Sequence, residues 1–335
     1  MKSTHFIAGL IFIVLSTGCG SGGQEADHAL QALTGARAKV VWVEASGDPD
    51  DMFLTGTGHL LMGLDTADGA ARKLAGPLEQ IGSPLISPDG SYVVFSRKKD
   101  LRIFRVNWGS EDVTPLGDGY ALLIRDDPSD GKDWIYAAVE PTGGRDGECR
   151  KIVKFPVDGS KAPEVVVEPG GVALDGIYLS RDGRRLFGTF PWPHAAFLDL
   201  VTGQPSLVGR GCWTGLAPDN SMLNWIFNSS HRDITMRTAS GESWVVTLDG
   251  APGVNGLKVY HPRWSNHPRF FVMTGPYRGE SMRRREKGSG REVEILVGRF
   301  GEDFRRVDAW HRVTTNQKGD YYPDLWVETA SKAAP

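Results

Sequence analysis

Apolar runs long enough to cross a bilayer are missing from this 335-residue chain: the run Phe6–Leu15 falls well short of the ~20 residues that a spanning helix needs. Gly-x-Ser-x-Gly does not occur, which removes the nucleophile elbow of an α/β-hydrolase. GxxxxGK[ST] does not occur either, which removes a phosphate-cradling loop. His-x-His and HExxH spacings are absent, so no zinc site is written in neighbouring residues. Glycosidase chemistry needs two facing carboxylates, and Asp146, Asp175 and Asp320 are too scattered to nominate as a pair. The formal charge of −3 is too small, and of the wrong sign, for general affinity to nucleic acid. Cysteine is scarce, with only Cys19, Cys149 and Cys212. Glycine (42), proline (20) and tryptophan (10) are plentiful, which suits many short strands joined by tight turns around an aromatic core.

The N-terminus points to export. Lys2, the apolar run Phe6–Leu15 and the small residues Ser16-Thr-Gly18 have the layout of a secretory signal. Ser16-Thr-Gly-Cys19 resembles the lipobox of bacterial lipoproteins, although Leu15 stands one place further from the cysteine than in the commonest form. The resemblance implies cleavage before Cys19, diacylation of its thiol, and a mature chain of 317 residues with a formal charge of −4. Two acyl chains hold a protein stably on a membrane surface without spanning it. The expected division is a signal peptide over 1–18, a lipidated cysteine and flexible tether over 19–36, a globular domain over 37–329 and a disordered tail over 330–335. The tether is Gly-rich and polar, with one short helical turn around Ala29–Leu33. An oxidising compartment would permit a bridge between Cys149 and Cys212. Their separation by two structural units, counted next, favours free thiols.

One pattern recurs four times: an extended run, a tight turn, then an apolar run. It reads Pro84-Leu-Ile-Ser-Pro-Asp-Gly90 before Tyr92–Phe95, and Ile177-Tyr-Leu-Ser-Arg-Asp-Gly183 before Arg185–Phe187. It returns as Thr214-Gly-Leu-Ala-Pro-Asp-Asn220 before Leu223–Phe227, and as His261-Pro-Arg-Trp-Ser-Asn-His-Pro268 before Phe270–Met273. Gly and Asn at the turn tolerate the left-handed backbone that tight hairpins require. Repeats at about fifty-residue spacing signify a circular stack of small sheets. Units begin near Gly82, Tyr120, Asp175, Cys212 and Tyr260. Lys39–Glu44 reads as a second strand lacking a first, and Tyr321–Glu328 as a first strand lacking a second. Pairing the two closes a ring and removes exposed edges. The expected fold is therefore all-β: a six-bladed β-propeller of four-stranded antiparallel blades, with seven blades as the alternative if a further inner strand lies within 278–310.

Pro-x-x-Ser-Pro-Asp-Gly followed by an apolar strand resembles the TolB-like, WD40-like repeat of bacterial envelope propellers, best matched by Ser83–Leu116. The resemblance implies the fold and an extracytoplasmic location. It is nearly silent on activity, because one fold hosts many functions.

Propeller topology sends the Asp-Gly turns to one face and the loops entering each inner strand, with those joining second to third strands, to the other. That second face, the mouth, gathers Arg97, Trp192, His194, Trp213, His231, Arg232, His261, Tyr277 and Arg278, with a basic excursion through Arg283–Arg285 and Lys287. These are the candidate ligand-binding residues, since loops on a rigid scaffold are where binding residues concentrate. Cations with Trp and Tyr suit an anionic saccharide, whose carboxylates pair with guanidinium and whose sugar faces stack on rings. An envelope protein fits the same composition. On this reading the protein is a monomeric, lipid-anchored binding or scaffold propeller in the bacterial cell envelope, with no established cofactor. The alternative is a polysaccharide lyase. Oligogalacturonate lyases are similar in their Ser-Pro-Asp-Gly blades, and that resemblance implies a divalent metal held at the mouth by His194, His231 and His261. His194 would then be the candidate base.

Overall fold

The computed structural model describes residues 22–127, 129–143, 148–278 and 290–329. Cys19, Asp146, the Arg283–Lys287 excursion and the tail lie outside them. The described residues form six four-stranded antiparallel sheets arranged as a six-bladed propeller. Blade 1 has the strand order Asp320–Val327, Ala38–Glu44, Thr57–Asp65, Ala70–Glu79. The other five blades are contiguous in sequence, with inner strands Leu85–Ile86, Tyr120–Asp127, Tyr178–Leu179, Cys212–Leu216 and Lys258–Trp264. Each inner strand touches the next, and Lys258–Trp264 touches Asp320–Val327, so the circle closes.

The seam forms as the sequence implies. Ala38 pairs with Val327, Val40 with Leu325 and Val41 with Asp324. Both strands are buried from end to end, as expected of strands with a blade on either side. The recurrent motif is explained by its hydrogen bonds. In blade 2, Ser87 Oγ donates to Asp89 Oδ1 at 2.7 Å and accepts the Tyr92 N–H at 3.1 Å, while Ser91 N–H also bonds Asp89. Blade 4 repeats this with Ser180, Asp182 and Arg185. Gly90, at φ 73°, must be glycine on a second count, because a Cβ there would meet the Trp326 ring of blade 1 at 3.0 Å.

Between blades the core is aromatic. Trp225 of blade 5 stacks on Trp264 of blade 6 with centroids 4.3 Å apart, and Phe271 and Phe300 complete the cluster. Cys149 sits in the third strand of blade 3 and Cys212 in the inner strand of blade 5, no disulfide joins them, and burial pushes each thiol up to about 11.

One expectation is corrected. In place of a flexible tether with a single helical turn, Gly22–Thr34 forms a 13-residue helix. The cause is packing: Leu30 is fully buried and Leu33 partly so against Ala38, Val313 and Leu325. An amphipathic side so placed is stabilised by its contacts more than by propensity. No described helix is long and apolar enough to cross a membrane.

Removing residues 320–335 leaves Ala38–Glu44 with an open edge and no blade 1 inner strand. Circular dichroism of that truncated chain should show loss of a single cooperative thermal transition; a retained sharp transition would show that the seam is dispensable.

Candidate functional site at the propeller mouth

Counting seven residues back from the turn residues Gly90, Gly183, Asn220 and Pro268 gives Ser83, Gly176, Trp213 and His261 in blades 2, 4, 5 and 6; Tyr322, after Tyr321 in the closing strand, and Ala121, after Tyr120, are their counterparts in blades 1 and 3. In blades 5, 6 and 1 the ladder slips here. Cys212 and Gly215, Tyr260 and Arg263, and on the closing strand Tyr321 and Asp324 flank the same two-residue bulge. Trp213, His261 and Tyr322 adopt φ of 41°, 52° and 50° within it. Such backbone costs roughly 1–3 kcal/mol per residue and persists only where the surroundings enforce it. Blades 2 to 4 carry Ser, Ala and Gly instead, so half of the ring is aromatic and half is small.

Five of these six residues line one axial cavity together with Asp175, Tyr178, Pro262, Arg263 and Pro323. Its volume is about 20 Å³, room for roughly one water. Three rings fill the aromatic half: His261 lies 4.0 Å from Tyr322 and 5.3 Å from Trp213, centroid to centroid. On the small half, Ser83 Oγ donates to Asp175 Oδ1 at 2.8 Å, and the Tyr120 hydroxyl accepts the Ser83 N–H at 3.0 Å. Deeper in, Arg263 Nε donates to Asp324 Oδ1 at 2.8 Å while Asp324 Oδ2 accepts the Ile86 N–H, an ion pair that ties blade 6 through blade 1 to blade 2.

The protonation state of His261 follows from its partners. Thr274 Oγ1 donates to the Tyr260 carbonyl at 3.1 Å, so His261 Nδ1, 3.2 Å from that oxygen, carries the ring proton and donates it. Nε2 is then a bare acceptor, buried and without a hydrogen-bond partner. Burial, reinforced by Lys98 and His231, pushes His261 down to about 3.

The lid of this cavity is the stretch 45–56, which joins the second and third strands of blade 1. Met52 and Leu54 are buried in the same cluster as Tyr260, Tyr277, Tyr321 and Tyr322. Lys98 Nζ, from blade 2, donates to the Phe53 carbonyl at 2.9 Å and to the Tyr322 hydroxyl at 3.4 Å, and lies 4.5 Å over the Tyr322 ring. Burial lowers its pKa, against the raising influence of Asp175 and Asp51. Asp51 accepts from Thr55 N–H and Gly56 N–H and faces His59 Nε2 at 3.4 Å. Burial alone would raise its carboxyl, and these bonds bring it below the ordinary value.

The mouth residues expected from sequence divide into two groups. Trp213, His231, His261 and Tyr277 belong to one aromatic assembly around Tyr260. His231 is buried, stacks on Phe227 at 5.2 Å and has Nε2 3.7 Å from Cys212 Sγ. The rest stand apart. His194 opens the third strand of blade 4, opposite Arg210, and does not line the cavity. Trp192 is 45% exposed on the neighbouring loop. Arg97 is bound bidentately by Asp100 at 2.8 and 2.5 Å, Arg278 pairs with Glu292 at 2.5 Å, and Arg232 is exposed. Among the described residues no group of three His, Cys, Asp or Glu could hold a metal ion. Of the three histidines expected as ligands, His261 lines the axial cavity and His194 does not, and the rings of His231 and His261 pack against Phe227 and Tyr322. Sequence reasoning passed over Lys98 and Ser83, and set Asp175 aside. Aligning the inner strands at the turn would have exposed the ring position.

No family model and no curated protein matches the sequence. Among solved structures, the crystal structure of TolB from Acinetobacter baumannii is similar, with a TM-score of 0.55 and 15% identity over 91% of this chain and 71% of that one. A chain of the nidogen/laminin complex is similar with a TM-score of 0.56 and 10% identity, over 86% of this chain and 98% of its own.

Two measurements test the site. His261, neutral through the physiological range, should show no ring titration between pH 5 and 8 by NMR; titration there would place it in solvent. Stability carried by His261 is complete above its unfolded value near 6.5 and is lost as pH falls toward 3. Lys98→Met should raise amide exchange across 47–55 by about tenfold, while blade 3 amides keep their protection.

The likeness, at these identities, is one of architecture: the chain is a TolB-like β-propeller in fold.

Proposed function

We propose that this protein is an extracytoplasmic propeller, tethered to the membrane through Cys19, that works by binding a partner protein across its mouth face. The closed mouth carries this reading. A lid pinned by Lys98 and an aromatic half-ring leave an axial cavity of about 20 Å³, too small for a sugar residue. Binding must therefore use the loop tips around the rim, a broad surface of the kind proteins recognise rather than the concave pocket a small ligand needs. Trp192, exposed between Pro191 and Pro193, is the aromatic anchor on that rim, with Arg232 on the blade 5 loop. The structurally similar chain of the nidogen/laminin complex comes from an assembly of two proteins. The fold gives the same support to an envelope location.

The cations speak against an acidic saccharide as first choice. Arg97 and Arg278 are engaged by Asp100 and Glu292, and Lys98 by a carbonyl. A lyase would need His194 near the axial residues, and it does not line their cavity.

A photo-crosslinker at residue 192 or 232 should trap one discrete protein species in intact cells. The same group at residue 219, in a turn on the opposite face, should trap none. Release of unsaturated uronides from polygalacturonate by the purified chain would overturn the binding reading in favour of the lyase.

A further inference from the structure

Three acidic side chains are buried together at the upper end of the seam. Glu44 ends the second strand of blade 1 directly opposite Asp320, the first residue of the closing strand. Glu294 opens the third strand of blade 6, and the carbonyl of its neighbour Val293 accepts the Asp320 N–H at 3.0 Å. Their exposures are 1%, 0% and 4%. Like charges directly opposite in a ladder destabilise it, so the charge on this cluster decides how well the seam closes.

The compensation is uneven. Glu44 receives Lys318 Nζ at 3.1 Å, Ser46 Oγ at 2.7 Å and Asn316 Nδ2 at 3.4 Å. Asp320 Oδ1 receives Trp42 Nε1 at 3.0 Å and Asn316 Nδ2 at 3.4 Å. Asp320 Oδ2 and Glu294 Oε2 are buried with no hydrogen-bond partner. The Thr314 hydroxyl can donate to Asp320 or to Glu294, one at a time, and the Gln317 and Asn316 N–H groups with Arg312 favour the charged form of Glu294. The lid above contributes Asp48, Asp50 and Asp51 and no cation. One oxygen of each carboxyl is thus buried without a donor, an environment that suits a neutral carboxyl better than a carboxylate.

We propose that Asp320 and Glu294 hold a proton between them and that this proton latches the ring shut. With the proton in place, the closing strand seats beside Glu44 with one negative charge fewer. When the proton leaves to solvent, three carboxylates crowd the seam's upper end, and the lid, hung there by the Ala45 N–H bond to the Gly319 carbonyl, loosens with it. Burial, with Glu294 and Glu44 close by, pushes Asp320 up to about 7, and burial raises Glu294. The sign is fixed by linkage. The folded chain keeps the Asp320 proton up to about pH 7 and the unfolded chain releases it near 3.8, so the latch is strongest below that lower value and is lost as pH rises to 7.

The test is site-resolved amide exchange on the full chain at pH 5.5 and pH 8, corrected for intrinsic rates. Protection across 38–44 and 320–327 should fall about tenfold at pH 8 relative to blade 3 amides. Asp320→Asn should remove that dependence and protect the seam equally at both pH values; Glu294→Gln is read the same way should the first variant not fold. In the parent chain, the infrared carbonyl band of a protonated carboxyl should be present at pH 5.5 and gone at pH 8. A seam whose protection does not change with pH overturns the proposal, as does an unchanged pH response in the variants. Restoration at pH 8 by calcium alone would also overturn it, making the cluster a cation site.

Discussion

The ladder between Ala38–Glu44 and Asp320–Val327 is the constraint on which the structure depends. Five blades are continuous in sequence, and blade 1 alone is assembled from the two ends of the domain. The entropy of bringing such distant ends together grows only logarithmically with separation, so a single fully buried ladder suffices. It is reinforced on both flanks. Trp326 Nε1 donates to the Pro88 carbonyl of blade 2, and Arg263 of blade 6 pairs with Asp324. The turn glycine Gly90 exists partly to admit Trp326. Closing the ring is thus coupled to the packing of both neighbouring blades.

Closure also shapes the mouth. The bulges at Trp213, His261 and Tyr322 fall in three successive blades, 5, 6 and 1, and their rings pack in a continuous set, edge to face between Trp213 and His261 and tilted between His261 and Tyr322. Left-handed backbone at three aromatic residues is costly taken singly. Placed side by side, each ring is held by the next and by the lid residues Met52 and Leu54. Blades 2 to 4, with Ser83, Ala121 and Gly176 at the same position, leave the gap that Asp175 borders. Half the ring is a plug and half is a polar niche.

The architecture was legible because it is periodic. Ser-Pro-Asp-Gly turns recur where a serine hydroxyl, an aspartate and a left-handed glycine close a hairpin, and even the degenerate Ser265-Asn-His-Pro268 keeps the serine bonded to the Phe270 carbonyl. The orphan strands at the two ends declared their pairing by lacking partners. The site was legible only in part. Trp213, His231, His261 and Tyr277 were found because loop order places them on one face, yet loop order says nothing of radius. His194 and Arg97 share that face and end up away from the axis. Lys98 was hidden beside Arg97 in a run of cations, and only the fold shows which of the two turns inward. Glu44, Glu294 and Asp320 are separated by most of the chain, so no local pattern could join them. The helix Gly22–Thr34 was underestimated because its stability comes from Leu30 meeting the core, a tertiary fact.

Buried titrations at the mouth and at the seam carry opposite signs, and this decides how acidity acts on the molecule. Between about pH 4 and 6.5 the unfolded chain binds a proton on His261 that the folded chain refuses, which favours folding as pH rises. Over the same interval the folded chain keeps a proton at Asp320 that the unfolded chain releases, which opposes folding as pH rises. These two contributions have opposite slopes over that interval. The forces themselves do not cancel, because they act at different places. Acid loads the aromatic plug around His261 while relieving the seam beside Glu44. A molecule built this way can change the tightness of its ring closure and of its aromatic plug in opposite directions as pH changes.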